Sequence, residues 1–371
     1  MKPLGLYVHI PFCVRKCRYC DFASWAGRES DMAQYTDVLC KEIAQRAKEC
    51  GYPAADTVFF GGGTPSLLPS DLYLRIAQTL RQNFSIAADA EWTVECNPGA
   101  LTPDFASALY ESGCNRLSLG LQATQPHLLL SLGRIHTAEQ AAKAVLLARN
   151  AGIHNFNLDL MLGLPGQTEA DMRETLDFAL SLSPRHLSCY ALIVEEGTPL
   201  YDDVHTGRVI MPSDDTDRTL YGLCRSILHE NGYMQYEISN FAQPGFFCRH
   251  NANCWRREEY LGFGCAAHSL WKNERRANPA VLDRYLSGEA PELTAISPEE
   301  AMFESVMLGL RLTEGIDEND FSRRHGHALM EVYGDRLQPA LVDGRLLRQN
   351  GHLLLSEHGM DVMNSVLVAL L

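Results

Sequence analysis

Long apolar runs are missing from this chain: none approaches the roughly 18 consecutive apolar residues of a membrane-spanning helix. An export signal is missing too, because His9 and Pro11 interrupt the apolar start, cysteines follow at once, and no small-residue cleavage site is present. Basic charge is scarce. Lys and Arg number 32 against 46 Asp and Glu, for a net charge of −14, which argues against a phosphate-backbone partner. No basic tract interleaved with aromatics, low-complexity tract or fixed-period repeat occurs. The expectation is a soluble protein of the reducing cytoplasm with no nucleic-acid partner. In that compartment the 12 cysteines read as metal ligands and small core residues before they read as disulfides.

What is present fits a globular protein. With 371 residues, 46% hydrophobic and 21% charged, the chain can build one large domain and a smaller one. Its first half alternates strand and helix patterns. LYVHI from Leu6, TVFFGG from Thr57, WTVECNP from Trp92, NRLSLGLQ from Asn115, HNFNLDLML from His154 and HLSCYALI from His186 read as strands. Helical periodicity fills the gaps, with capping boxes at Thr137/Gln140 and Thr168/Asp171 and stops at Gly113 and Gly152.

Six such β–α units predict an α/β fold with a parallel sheet. An open doubly wound sheet and a closed or partial barrel both fit that pattern. The unusual residues (the cysteine loop, GGGTPS at Gly61, Glu95, Gln122, Asp159) fall at strand C-terminal ends, where barrel enzymes assemble their sites. This favours a partial (β/α)6 TIM-like barrel over residues 1–235. Residues 236–296 mix Gly, His, Trp and Tyr without clean periodicity and read as a looped functional segment. Residues 297–371 read as helices, a hairpin at Asn350-Gly351 and a terminal helix, which is a small winged-helix-like domain.

The chemistry concentrates in HIPFCVRKCRYCDF, from His9 to Phe22. Cys13, Cys17 and Cys20 are spaced C-x3-C-x2-C. Zinc normally takes four ligands and paired spacings, a disulfide strands one thiol, and a Cys-x-x-Cys redox pair leaves Cys13 idle. An iron–sulfur cluster uses all three, and a four-iron cluster on three thiolates keeps one iron open. The spacing alone leaves zinc in play.

The cysteine loop after a first strand, followed by a Gly-rich loop after the second, resembles the radical S-adenosylmethionine (SAM) superfamily. There the open iron chelates the methionine end of SAM, and the reduced cluster cleaves the sulfonium to a 5′-deoxyadenosyl radical. The resemblance narrows on YVHIPFC, CRYCDF, FFGGGTPSLL, NRLSLGLQ, LGRIHT, NLDLMLGLPGQT, YEISNFAQPGFFCRHN and YLGFG. Together these are similar to the HemN/HemW group of oxygen-independent coproporphyrinogen III oxidases and related heme chaperones, from about Tyr7 to His268 and more loosely beyond. The resemblance implies a 4Fe–4S cluster on Cys13, Cys17 and Cys20. It implies SAM contacts at Tyr7, Tyr19, Gly62, Gly63, Thr64, Glu95, Gln122, Arg134, Asp159 and Ala191. Glu95 or Asp159 would accept ribose hydroxyls, Arg134 would pair with the methionine carboxylate and Tyr19 would pack near adenine.

Three features separate the two branches. The oxidases carry a fourth cysteine two positions after the third, where this chain has Phe22. They also carry an extension ahead of the first strand, whereas this chain reaches Cys13 almost at once. The chaperones carry an H-N-x-x-Y-W heme-associated motif, and here His250-Asn251-Ala252-Asn253-Cys254-Trp255 departs from it at Cys254. His250 would supply an imidazole for heme iron; its bland alternative is a loop hydrogen bond. Cys254 would be a further thiolate or merely a small buried residue, and a metal site on Cys248, His250 and Cys254 lacks a matching second half.

The resulting expectation is a heme chaperone with cluster, SAM and heme as cofactors. It would hand heme to acceptor hemoproteins of the respiratory chain, with peripheral contact to membrane-bound acceptors left open. The alternatives are an oxygen-independent coproporphyrinogen III oxidase and, against the acidic charge, a nucleic-acid modifier of the same superfamily.

Overall fold

The structure, a computed structural model, describes residues 4–370. It opens with β1 (Leu4–Ile10), α1 (Met32–Glu49), β2 (Ala54–Gly62), α2 (Ser70–Asn83), β3 (Ser85–Cys96), α3 (Pro103–Ser112) and β4 (Arg116–Gln122). There follow α4 (Pro126–Ser131), α5 (Ala138–Asn150), β5 (Phe156–Leu162), α6 (Glu169–Ser181), β6 (His186–Ala191), α7 (Pro199–His205) and α8 (Asp214–Glu230). Strands β1 to β6 lie side by side in chain order and pair in parallel throughout. A doubly wound sheet would reverse its order at a switch point; this one does not, so the six units form a partial barrel.

Local chemistry explains the element ends. Thr137 and Gln140, and Thr168 and Asp171, form the expected capping boxes, and Gly113 ends α3 in the left-handed region. The core follows from strand alternation. Outward residues such as Leu6, Val58, Phe60, Trp92, Leu117, Leu158 and Leu187 pack with the helix stripe Tyr35, Leu39 and Ile43 of α1 and its counterparts. Each large side chain buried this way contributes about 1.5–3 kcal/mol, so a charge at Leu39 or Ile43 would detach α1.

The segment expected to be looped is instead largely built into the sheet. It holds β7 (Met234–Gln235), β8 (Asn240–Ala242), α9 (Arg249–Trp255), β9 (Glu259–Phe263), β10 (His268–Trp271), β11 (Glu274–Ala277), α10 (Leu282–Leu286) and β12 (Glu292–Ala295). Strand β9 pairs in parallel with the free side of β1, β10 to β12 continue antiparallel, and β8 pairs with β6. These strands are two to five residues long, too short for a period to show. The β10–β11 turn uses Lys272 and Asn273 at positive φ, with no glycine to announce it.

The C-terminal unit runs α11 (Pro298–Gly309), β13 (Ile316–Asp317), α12 (Glu318–His325), α13 (Leu329–Val342), β14 (Leu346–Gln349), β15 (His352–Leu355), α14 (Glu357–Asp361) and α15 (Met363–Val368). Its three-stranded sheet is ordered β13–β15–β14, and Asn350 and Gly351 make the hairpin with φ of 51° and 79°. This is the winged-helix arrangement, with its own core of Val306, Phe321, Leu337 and Leu353. Glu304 ties it to the barrel, accepting from Arg257 at 2.7 Å and Arg275 at 2.6 Å.

Candidate functional site

The inward faces of the barrel strands are polar where the outward faces are apolar. Thr57 lies inward on β2, Glu91, Thr93 and Glu95 on β3, Arg116 and Ser118 on β4, Asn157 and Asp159 on β5, and His186 and Ser188 on β6. Buried polar groups require partners, and most find them. Asn157 donates to Asp159 at 2.7 Å and to Ser118 at 2.8 Å, and its carbonyl oxygen meets His186 at 2.7 Å. His186 in turn bonds Tyr236 at 2.8 Å. This lattice fixes Asp159 in the middle of β5. Burial raises its pKa, against hydrogen bonds from Asn157 and Ser188 that lower it.

Above this lattice, at the strand C-terminal ends, opens a cavity of about 400 Å³. All three loop cysteines line it, as do Tyr19, Gly62, Gly63, Thr64, Glu95, Gln122, Arg134, Asp159 and Ala191. Of the expected SAM-contacting positions only Tyr7 stands apart. It is one layer deeper, bonded to His9 at 3.0 Å and stacked on Phe59.

The cysteine loop is held from outside itself. Thr64 donates to Cys13 Sγ and Arg134 to Cys17 Sγ, both at 3.7 Å; donors of this kind stabilise thiolates. Burial raises the Cys20 thiol, and its neighbouring thiols add to that. All 12 cysteines are free. Among the described residues no three His, Cys, Asp or Glu side chains converge on one point where a single metal ion could sit. A cluster that gives each thiolate its own iron fits sulfurs that stand apart.

Two glycines of the cavity wall also meet a packing need within the chain. Gly62 has φ +106° and a Cβ there would lie 2.5 Å from His9, while one on Gly63 would lie 2.7 Å from the Phe12 carbonyl. The glycines therefore let β2 close against the start of the cysteine loop, where Gly63 N donates to Ile10 O and Thr64 N to Phe12 O, each at 2.8 Å. Gln122 has a left-handed φ of 67° without being glycine, at a register shift between β4 and β5, and accepts from Tyr190 at 2.9 Å. Strain of this kind collects where a site requires a particular backbone.

Glu95 sits on the cavity wall, accepting from Gly62 N at 3.2 Å. Burial and the nearby Asp159 push its pKa up to about 8. Arg134 also donates to the Gly120 carbonyl at 2.7 Å and faces His136 at 3.3 Å, so part of its guanidinium is committed to the protein. Burial and that cation push His136 down to about 4. Phe22, 60% exposed, lines the mouth of the cavity, as does the exposed Ile193.

His250 is not brought to this cavity. It sits inside the lower end of the barrel on α9, bonded to Thr57 at 2.8 Å and stacked on Phe59 at 5.1 Å. Burial pushes its pKa down to about 4. The bland alternative of a protein-internal hydrogen bond describes it, deeper than a loop. Cys254 is half-buried, its thiol raised by desolvation to about 11, and Arg311 packs over the Trp255 ring at 4.4 Å. The sequence reading missed Glu91, whose carboxylate accepts from Arg249 N at 2.9 Å and His250 N at 3.0 Å. No side chain of α9 caps its own N-terminus; a buried glutamate from β3 does so.

Comparison with known proteins follows the same division. The Radical SAM superfamily profile matches residues 7–179 and the HemN C-terminal domain profile residues 296–362. The heme chaperone HemW of Synechocystis is 37% identical over 91% of this chain and 86% of its own length. The heme chaperone HemW of Escherichia coli is 34% identical over 99% and 98%, and that of Bacillus subtilis 32% over 98% of each. The solved structure of coproporphyrinogen III oxidase (HemN) from Escherichia coli shares the fold. It covers 100% of this chain and 90% of its own at a TM-score of 0.85 and 24% identity.

Proposed function

We infer function from one premise: this chain belongs to the HemW family of heme chaperones, on the radical SAM fold. The protein binds a 4Fe–4S cluster, S-adenosylmethionine and heme, and delivers heme to acceptor hemoproteins. The observation that carries the reading is the cavity in which Cys13, Cys17 and Cys20 face a wall of Glu95, Asp159 and Arg134, with Phe22 exposed at its mouth.

The free loop thiols suit the cluster, and no fourth thiol stands at Phe22 where the oxidases have one. When bound, the cluster and SAM supply one-electron chemistry at the sulfonium. The chain's own residues hold and orient. Thr64 and Arg134 donate to the ligating sulfurs. Glu95 and Asp159 are placed to accept ribose hydroxyls, the unused donors of Arg134 to meet the methionine carboxylate, and Tyr19 to pack beside adenine. Tyr7 acts from the layer beneath, through His9. His250 reaches heme only when α9 leaves the barrel.

We propose respiratory hemoproteins as the acceptors and the cytoplasm as the location. No helix among the described residues is long and apolar enough to cross a membrane, so membrane-bound acceptors would be met peripherally.

Anaerobic reconstitution followed by hemin titration tests the reading. A broad iron–sulfur absorbance that is lost in Cys17→Ala, together with a Soret band that moves to an added apo-hemoprotein, is expected. A colourless reconstituted protein refutes the cluster. Rescue of a strain lacking its oxygen-independent coproporphyrinogen oxidase would replace the chaperone reading with the oxidase.

A further inference from the structure

Arg134 has two tasks at the cavity: it donates to Cys17 Sγ at 3.7 Å, and its remaining donors are assigned to the methionine carboxylate. Its aim is set by residues 134–137, which belong to no helix or strand and link α4 to α5. An extended stretch turns residues two apart to the same side. Ile135 is accordingly 52% exposed, while His136 is buried on the side of Arg134. Arg134 Nε donates to His136 Nδ1 at 3.3 Å, and His136 Nε2 lies 3.0 Å from the Leu121 carbonyl oxygen. An arginine Nε only donates and a carbonyl oxygen only accepts. Nε2 therefore carries the proton and Nδ1 is bare, so the two partners fix one neutral tautomer.

The carbonyls that anchor this pair come from an irregularity at the end of β4. Gly120 pairs with Asp159 but Gln122 with Leu160, so Leu121 is one residue too many for the ladder. At this bulge the Gly120 carbonyl accepts from Arg134 Nη2 at 2.7 Å and the Leu121 carbonyl from His136. Glycine leaves room for the contact, since a Cβ on Gly120 would lie 3.0 Å from Arg134 Nη2. An arginine carries five N–H donors, of which His136, Gly120 and the Cys17 sulfur each take one. One donor is left on each terminal nitrogen, the pair that a carboxylate accepts as a fork.

We propose that His136 is a positioning residue of the cofactor site, holding Arg134 so that one donor stays on the Cys17 sulfur and the free pair stays on the methionine carboxylate. The proposal rests on the cluster and SAM reading of the cavity. A reduced cluster carries one more negative charge, so a cation bonded to a ligating sulfur favours the reduced form and raises the potential. Without His136, Arg134 Nε loses its sole partner among the described residues. The guanidinium is then free to turn, and both tasks suffer together.

The test compares His136→Leu, which fills the space without an acceptor, with His136→Asn, whose side-chain oxygen takes the place of Nδ1 while the bond to Leu121 is lost. The full chain is reconstituted anaerobically. Iron content, the cluster midpoint potential without SAM, and SAM affinity by equilibrium dialysis are then measured. His136→Leu should load its cluster, bind SAM at least tenfold more weakly and be tenfold harder to reduce, about 59 mV for one electron. His136→Asn should stay within threefold of the parent in both. A ring that merely ties the loop predicts another pattern, because both variants lose the Leu121 bond: equal loss of stability with potential and SAM affinity unmoved, which overturns the proposal. If His136→Leu fails to load, His136→Asn decides: values like the parent's support the proposal, and shifted values or failed loading overturn it. An unsubstituted protein that assembles no cluster or binds no SAM defeats the cofactor reading and this proposal together. One that does both, beside an unaffected His136→Leu, defeats the proposal alone.

Discussion

Replacing Glu91 should release α9 from the barrel without disturbing the cysteine loop. The carboxylate is buried and accepts from two first-turn amides of α9, Arg249 at 2.9 Å and His250 at 3.0 Å, and from the Cys248 thiol at 3.4 Å. It also faces Arg116, a fully buried guanidinium whose Nε has no partner and whose pKa is held up, against burial, by Cys248 and Glu91. Each hydrogen bond to a charged acceptor is worth about 1.5–3 kcal/mol. Glu91→Ala removes both amide bonds and the weaker thiol contact and takes a counter-charge from Arg116, so a loss of about 3–5 kcal/mol is expected. Glu91→Gln keeps one good acceptor and should lose about 2 kcal/mol. At about 2 °C per kcal/mol for a chain of this size, Glu91→Ala melts roughly 6–10 °C lower. Hydrogen exchange localises the effect: the Arg249 and His250 amides should lose at least tenfold protection in Glu91→Gln, while iron–sulfur loading stays unchanged. Ser85→Ala, at an exposed position on the same strand, is the neutral control. A Glu91→Ala protein within 0.5 kcal/mol of the parent, with both amides still protected, would refute the capping argument.

Three further outcomes follow from the same geometry. The Glu95 carboxyl has its folded pKa raised to about 8 from an ordinary 4.5, so the unfolded chain releases that proton first. Its contribution to stability is therefore lost as pH rises between those values, and urea unfolding of cluster-free Glu95→Gln should show a shallower decline from pH 6 to 9 than the parent; parallel curves would contradict the shift. Gly62→Ala forces a Cβ within 2.5 Å of His9 at φ +106°, so cluster loading should fall sharply while the melting temperature drops a few degrees, and full loading would remove the packing argument. Glu304→Ala strips the shared partner of Arg257 and Arg275 and should speed proteolysis between barrel and C-terminal domain several-fold, an effect Glu299→Ala should not reproduce.

Legibility in the sequence tracked element length and local chemistry. The six barrel strands and their long helices were readable because each offers a full period and a named cap, as at Thr137, Thr168 and Gly113. The strands from β9 to β12 were not, since four or five residues with turns such as Lys272-Asn273 carry no period and no glycine. The cavity walls were readable through Cys13, in the loop after β1, Gly62 and Glu95, at the ends of β2 and β3, and Asp159, in the middle of β5. The buried lattice was equally written, as polar residues two apart on successive strands (Glu91-Thr93-Glu95, Arg116-Ser118, Asn157-Asp159, His186-Ser188). Glu91 and Arg116 lie below the C-terminal strand ends where a barrel site is sought, and nothing in their local sequence sets them apart. Tyr7 and His250 illustrate a third limit, because a position in a chain does not give depth within a barrel.

The placement of His250 sets two roles of its helix against each other. An imidazole ligates iron through a neutral nitrogen, and burial keeps this ring neutral over the whole physiological range. Yet Nδ1 is bonded to Thr57 and the ring is stacked on Phe59 beside Gly5, where an added Cβ would lie 3.0 Å from Cε1. Iron ligation at His250 therefore requires α9 to leave the barrel, and leaving breaks the two Glu91 bonds that hold the helix start. The free energy that keeps the motif folded is the free energy a heme contact there must overcome. At about 3 kcal/mol or more for those bonds, the open form would be populated at roughly one molecule in a hundred or fewer.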